Sequence, residues 1–551
     1  MATNSWAALA LVHFFGLCAL LFWLYGEARP VPMHDVRLDA GEKLRCVSYA
    51  PFHRRGQTPF DAHLEISRQQ IVEDLGALAA IADCVRTYAI DMGLEEVPAV
   101  ARALGLKVLL GTWIGYERDR NARHLERAIA LANEYRDVVR ALIVGNEVLL
   151  RRELDDEAMR ALLASARARS AVPVTYADVW EFWLKHDELA DAVDFITIHI
   201  LPFWEDEPVD IGQALVHVAE TRARVSAHFA GKSILIGETG WPGAGRQRGE
   251  SRPSKVNQAR YVREFVQRAH AEGWDYNLIE AIDQPWKRRQ EGTVGGYWGM
   301  LDAATLRPKF ALAGPVAERD SLVAPLAGAI AGAALALLLA LAGGHGAHAR
   351  SFSRLAAVTL TGATSGLIAV LHGEHARLAY QSVTDWGALG AVAVAAVCTC
   401  AALARWRGEV LAPADLAWRR VRRDRLGASA ADVLSVLRGF ILFAAAVAAL
   451  LLLVSGRYRD FPSLLYLTPA AIYGVIGWRR EGGFSRDECI CAGIIVFCAL
   501  ARWLPEPANP QAAGWMLTGL ALALPALGQP FGRRLAARRK EAAAAPGSHE
   551  K

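Results

Sequence analysis

The sequence predicts an α/β chain: a (β/α)8 TIM barrel, followed by an all-α half that crosses a membrane several times. Three observations carry this. Between residues 44 and 315, short apolar runs recur at near-regular intervals, with amphipathic stretches between them. From about residue 322, long apolar runs alternate with short Arg-rich loops. The hydrophobic content is 53% over 551 residues, and it is spread too unevenly for one soluble domain.

The strands expected in the first half are Leu44–Ala50, Cys84–Ile90, Leu106–Trp113, Arg140–Asn146, Val172–Ala177, Asp194–Ile200, Ser233–Glu238 and Asn277–Ile282. Apolar runs of this length, bounded by Gly and polar residues, suit strands covered on both faces. Residues 67–81 place Ile71, Leu75, Leu78 and Ala79 on one helical face, and 121–139 and 254–271 show the same period. Strands alternating with helices over such a length describe a barrel. A doubly wound open sheet is the competing arrangement. It is disfavoured because no Gly-rich phosphate turn follows the first strand.

Four segments result: an N-terminal anchor over 1–30, the barrel over 44–315, a polytopic membrane domain of about seven helices over 322–530, and a basic tail over 531–551. The expected spans are 6–25, 322–344, 355–373, 383–404, 435–455, 461–478, 488–504 and 511–530, each near the ~20 residues a spanning helix needs. The 461–478 run is the weakest, with Pro462, Pro469 and Gly474. Arg350 and Arg354, the Arg405–Arg425 cluster, Arg479, Arg480 and Arg486, and Arg533–Lys540 all fall on one side of an eight-span arrangement. Positive loops stay in the cytoplasm, so both termini are expected inside and the barrel outside. The 1–30 segment lacks a basic start and a small-residue cleavage site, which favours an anchor over a cleaved signal peptide.

The net charge of +4 reflects these loops. Basic clusters that flank apolar spans point to a lipid bilayer as partner and away from nucleic acid. Cys46 and Cys84 begin the first two strands, where a bridge is feasible; buried free thiols are the expected state. No Cys/His spacing resembles a metal site, and no metal or cofactor is expected.

Two segments carry the chemistry. Leu142-Ile143-Val144-Gly145-Asn146-Glu147 and Ile234-Leu235-Ile236-Gly237-Glu238 are apolar runs ending in glutamate. Burying a charge unpaired is costly, so carboxylates at the ends of buried strands suggest a shared cleft. Breaking a glycosidic bond needs such a pair. A barrel places active residues past the C-terminal strand ends. Arg86 and Tyr88 fall there on the second strand, Tyr176 and Asp178 on the fifth, His199 on the sixth, and Gln284, Trp286 and Lys287 on the eighth.

The motifs Val144-Gly145-Asn146-Glu147-Val148 and Gly237-Glu238-Thr239-Gly240-Trp241-Pro242 resemble those of glycoside hydrolase family 17. Val85–Tyr88, His199–Trp204, Glu280–Lys287 and Tyr297–Leu301 also fit its bacterial branch, and the layout of anchor, family 17 domain and polytopic half resembles membrane-bound members implicated in making β-(1,6)/(1,3)-glucans. The resemblance covers about 44–312. It implies Glu238 as nucleophile and Glu147 as acid/base, with carboxyls ~5–5.5 Å apart and retention of configuration. The proton affinity of Glu147 is then expected to be raised. Arg86, Tyr88, Asn146, Tyr176, His199, Trp241, Gln284, Trp286 and Lys287 are the expected substrate-binding set, with Trp241 and Trp286 as subsite walls. Gln284 stands where plant members carry a glutamate.

The expected activity is β-glucan transglycosylation at the bacterial inner membrane, with the catalytic domain periplasmic, acting on a glucan and possible glucan synthase or export partners. A β-1,3-glucanase is one alternative. A non-catalytic glucan-binding component of an export or assembly system is the other; few acidic residues lie inside the spans, which gives a proton-coupled pump little support.

Overall fold

The computed structural model describes residues 2–36, 41–342, 351–424, 427–478 and 483–544. Arg350, Arg425, Arg479 and Arg480 lie outside the described residues, as do the side chains of the basic tail. The chain forms two compact units, residues 30–318 and residues 1–29 with 319–551.

The first unit is a closed parallel barrel in sequential order. Its strands are β1 (Val47–Ser48), β2 (Cys84–Arg86), β3 (Lys107–Thr112), β4 (Val139–Asn146), β5 (Val174–Val179), β6 (Ile196–His199), β7 (Ile234–Thr239) and β8 (Asp275–Leu278). Val47 pairs with Val85 on one side and Leu278 on the other, which closes the ring. The expected strands are all present. The eighth starts and stops earlier than expected, because after Leu278 the chain leaves the ladder and Ile282 bridges Leu301.

Helices between the strands start where the sequence offers caps. Ser67 accepts from the Gln70 amide ahead of Arg68–Ala79, and Ser254 accepts from Asn257 ahead of Lys255–Ala271. Their apolar faces, including Ile71, Leu75, Leu78 and Phe265, pack in the main core around the barrel.

Strand alternation sends every second side chain into the barrel interior. Cys46, Cys84, Leu109, Ala141, Ile143, Ala177 and Leu235 form a small inner cluster. Cys46 and Cys84 are joined by a disulfide, with Cα atoms 4.3 Å apart. This corrects the expectation of free thiols. Val47 pairs with Val85, so the preceding residues lie side by side, within bridging distance. Two residues further along the same strands, Ser48 and Arg86 are fully buried.

In the second unit, six helices among the described residues are long and apolar enough to cross a membrane: Ser5–Ala28, Val323–Ala342, Phe352–Ala379, Val383–Arg405, Ala430–Val454 and Pro510–Gly528. Eight were expected. Ser463–Ile476 has 14 residues, with Pro469 inside it, and at ~1.5 Å per residue it falls short of a ~30 Å hydrocarbon core. Arg486–Trp503 carries Arg486, Asp487, Glu488 and Arg502. Gly328 and Gly332 meet Gly362 and Gly366 so closely that a Cβ on any of them would strike the facing helix. Arg438 and Glu488 form a buried pair at 2.7 Å. Arg438 also donates to the Ala412 and Gly483 carbonyls, and Glu488 accepts from the Ala414 and Ser485 amides.

Candidate active site

Both glutamates sit where the barrel ends. Glu238 is on the last turn of β7, with a side chain 7% exposed. Glu147 follows β4 directly, in a left-handed conformation (φ 54°), with a side chain 23% exposed. A non-glycine residue there is strained. Gly145, at φ 81°, prepares the same turn; a Cβ on it would come within 2.7 Å of Val148 Cγ2.

One oxygen of Glu147, one of Glu238 and a ring nitrogen of His199 all lie within 4.8 Å of one another. Two carboxyl groups with oxygens this near each other can reach the same bond of a substrate. His199, fully buried, bridges the two. Its Nδ1 is 2.8 Å from Glu147 Oε1, and its Nε2 is 3.6 Å from Glu238 Oε1 and 3.3 Å from Arg86 Nη1. A carboxylate only accepts, so Nδ1 carries a proton toward Glu147. These three groups are also close enough to hold a metal ion; the Arg86 guanidinium, 3.3 Å from Glu238, already places a positive charge there.

Arg86 is completely buried and ties the site together. Nη1 donates to the Gly237 carbonyl at 2.7 Å and to Glu238, and Nη2 donates to Asn146 Oδ1 at 2.6 Å. Any Cβ at Gly237 would collide with Thr197 and crowd Arg86. Asn146 keeps its amide NH2 without a protein partner among the described residues. The Tyr88 oxygen is 2.9 Å from Glu238 Oε1 and 2.8 Å from Ser48 Oγ. It has one proton and the carboxylate can only accept, so Tyr88 donates to Glu238 and Ser48 donates to Tyr88. Asn277 Nδ2 in turn donates to Ser48 Oγ at 2.7 Å. Burial, and then the Glu238 charge, push the Tyr88 hydroxyl far above its usual range.

Electrostatics correct one expectation. Burial favours the neutral form of Glu147, but the hydrogen bond and charge of His199, then Arg151 and Arg86, outweigh it. The carboxyl therefore sits below the ordinary glutamate range, not above it. Asp178, just past Tyr176 on β5, is pushed up to about 6 by burial, against its Tyr176 bond and with the charge of Glu147.

The other expected residues divide. Lys287 reaches the site and donates to Glu280 Oε2 at 2.8 Å. Trp286 is partly exposed, with Phe52 and Phe60 edge-on against it. Gln284 is fully buried; it donates to the Ala50 carbonyl at 2.7 Å and accepts from the Trp286 indole at 2.9 Å, so it orients that ring. Tyr176 is buried too, donating to Asp178 and accepting from the Leu149 amide, which anchors the turn after Glu147. Trp241 has no exposed surface. Its indole donates to the Arg252 carbonyl at 3.0 Å and packs on Phe203 and Tyr261. It is core, which corrects its expected place as a subsite wall.

Sequence reasoning missed Ser48, Asn277 and Glu280. Glu280 ends an apolar pair, Leu278-Ile279, much as Glu147 and Glu238 end theirs, and that pattern was the available signal. Ser48 and Asn277 carry no such mark.

Residues 46–299 match the BtgE/BtgC glycoside hydrolase domain. The chain is 31% identical over 260 residues to the glucan 1,3-beta-glucosidase of Arthroderma benhamiae, covering 43% of this chain and 82% of that protein. It is 27% identical over 263 residues to the probable beta-glucosidase btgE of Aspergillus clavatus, covering 46% of this chain and 45% of that one. It thus spans under half the length of the second relative. The glycoside hydrolase family 17 beta-1,3-glucanosyltransferase of Rhizomucor miehei, a solved structure, is 24% identical, with 49% of this chain and 97% of that chain covered and a TM-score of 0.43. With a carboxylate pair at the mouth of a closed barrel and a relative covered over most of its length, the chain belongs to the BtgE/BtgC glycoside hydrolase family and is an enzyme acting on glycosidic bonds.

Proposed function

We propose that this chain is a retaining β-glucan transglycosylase held in the bacterial inner membrane, with Glu238 as nucleophile and Glu147 as acid/base. The observation that carries the mechanism is the 4.8 Å limit on the separation of the Glu147, Glu238 and His199 atoms. Such spacing suits attack by Glu238 at the anomeric carbon and a covalent glycosyl-enzyme. Tyr88 and Arg86 aim hydrogen bonds at the Glu238 carboxylate, and the open amide of Asn146 is available to the sugar 2-hydroxyl.

Free Glu147, held below its usual range, is ready for the second step, in which it takes the acceptor's proton. For the first step it must carry a proton. A bound sugar covers the exposed part of its side chain, and that loss of water raises its proton affinity. The named relatives, a glucan 1,3-beta-glucosidase among them, support a β-1,3-glucan donor. The membrane-bound branch of family 17, the four-segment division and the Arg-rich loops support a periplasmic barrel with both termini inside. An enzyme tied to a bilayer meets a glucan as it emerges, and the proximity favours a sugar acceptor over water.

Product analysis with laminari-oligosaccharides at millimolar concentration tests this. Longer or newly linked β-glucans are expected. If shortened chains and glucose are the only products, the enzyme is a hydrolase. If no bond is broken, the barrel only binds.

A further inference from the structure

We propose that Tyr176 and Asp178 are positioning residues for the acid/base: they hold the turn that carries Glu147, and so keep its carboxyl within reach of the leaving oxygen. The basis is a set of hydrogen bonds between the end of β5 and that turn. The Glu147 amide donates to the Ala177 carbonyl at 2.8 Å. The Leu149 amide donates to the Tyr176 hydroxyl at 3.0 Å, and the Leu150 amide to Asp178 Oδ2 at 3.4 Å. Tyr176 donates to the same Asp178 oxygen, and Asp178 Oδ1 accepts from the Val179 amide at 2.7 Å. Three amides of one turn thus end on three successive residues of one strand.

That turn needs holding. Glu147 and Arg152 are both left-handed, at φ 54° and 56°. A residue with a side chain keeps such a backbone only where its surroundings impose it. The backbone also sets where the Glu147 side chain points. A relaxed φ would swing the Cα–Cβ bond and carry the carboxyl away from His199, now 2.8 Å from it. Tyr176 and Asp178 are buried, at 1% and 0% exposure, so a sugar does not touch them. They act on the reaction only through Glu147. A carboxylate serves the Tyr176 hydroxyl well here, because an ionised acceptor makes the stronger bond. It fixes the hydroxyl proton toward Asp178 and leaves the Tyr176 lone pairs to the Leu149 amide.

This inference rests on the reading of Glu147 as acid/base. Its test is the leaving-group dependence of kcat/KM, which reports the step that forms the glycosyl-enzyme, using the full-length chain in detergent. The donors are phenyl and 2,4-dinitrophenyl β-laminaribiosides. Phenol needs a proton as it leaves, and dinitrophenol does not. Tyr176→Phe keeps the ring and removes the oxygen that takes the Leu149 amide. It is expected to lose about 10- to 50-fold on the phenyl donor and less than about twofold on the dinitrophenyl donor, since a misplaced acid harms only the step that uses it. Asp178→Asn keeps the shape and removes the charge; the same pattern is expected, smaller in size. Tyr276→Phe is the control. It removes a hydroxyl that accepts from the Arg45 amide, where β1 and β8 begin, and should leave the ratio between donors at the wild-type value. A merely structural role would lower both donors alike, in step with the melting temperature. Equal losses on the two donors, or wild-type kinetics in both folded variants, would overturn the proposal. If one variant does not fold, the other decides by the same ratio. Failure of the underlying reading looks different: Glu147→Ala would then itself lose equally on both donors.

Discussion

Tyr88→Phe removes a single oxygen from the site. That oxygen gives Glu238 a hydroxyl donor at 2.9 Å, inside a buried chain that runs from Asn277 through Ser48 to Tyr88. The ring stays, so the packing volume and the Arg86 guanidinium 4.8 Å from its centroid are retained. A hydrogen bond to a charged acceptor contributes about 1.5–3 kcal/mol. If it serves the attacking carboxylate, kcat/KM falls about 10- to 150-fold. The Ser48 proton also loses its acceptor, worth about 1 kcal/mol, and a barrel of this size then melts about 2–4 °C lower. The assay is release of nitrophenol from a β-laminaribioside, read beside the melting temperature. A folded Tyr88→Phe protein with a rate within twofold of wild type would refute the reasoning, because the bond would then have no part in orienting the nucleophile.

Four further outcomes are expected. Glu238→Gln keeps volume and abolishes turnover, whereas Glu147→Ala is partly rescued on donors with good leaving groups, which need little protonation; equal loss on good and poor leaving groups would remove the acid role. Trp241→Ala empties a fully buried site and destabilises the barrel by about 3–5 kcal/mol, whereas Trp286→Ala leaves the melting temperature near wild type and weakens oligosaccharide binding about 2- to 10-fold, as calorimetry can show. Glu280 binds its proton more tightly folded, at about 7 against an ordinary 4.5, so the stability it contributes is full below pH 4.5 and lost as pH rises to 7; this is on the order of 3 kcal/mol, and Glu280→Gln should flatten the melting-temperature curve in that window. Replacing Cys46 and Cys84 together by alanine opens a loop of 38 residues and lowers stability by about 3–4 kcal/mol in the chain-entropy account, seen as a lower melting temperature with unchanged KM.

The barrel was legible because its signals are local. Apolar runs ending in polar residues, the helical period over 67–81 and 254–271, and the caps Ser67 and Ser254 all lie within a few residues of what they specify. The carboxylates were legible for the same reason: a charge closing a buried strand stands out along the chain. Span number was less so. Hydropathy could not show that the 461–478 run forms only a 14-residue helix.

What the sequence by itself determined was which residues end which strands. Depth and partnership were decided by the tertiary structure. Closing the barrel brought Glu147 and Glu238, 91 residues apart, to either side of His199. Register between β1 and β2 set Cys46 against Cys84. Packing sent Trp241 into the core while Trp286 kept an exposed edge, though both follow strand ends as aromatic residues next to proline. The His199 contact pulled the proton affinity of Glu147 down where burial alone would have raised it. Each of these depends on distances between residues far apart in sequence. Local pattern has no access to such distances, because they exist only once the chain has closed.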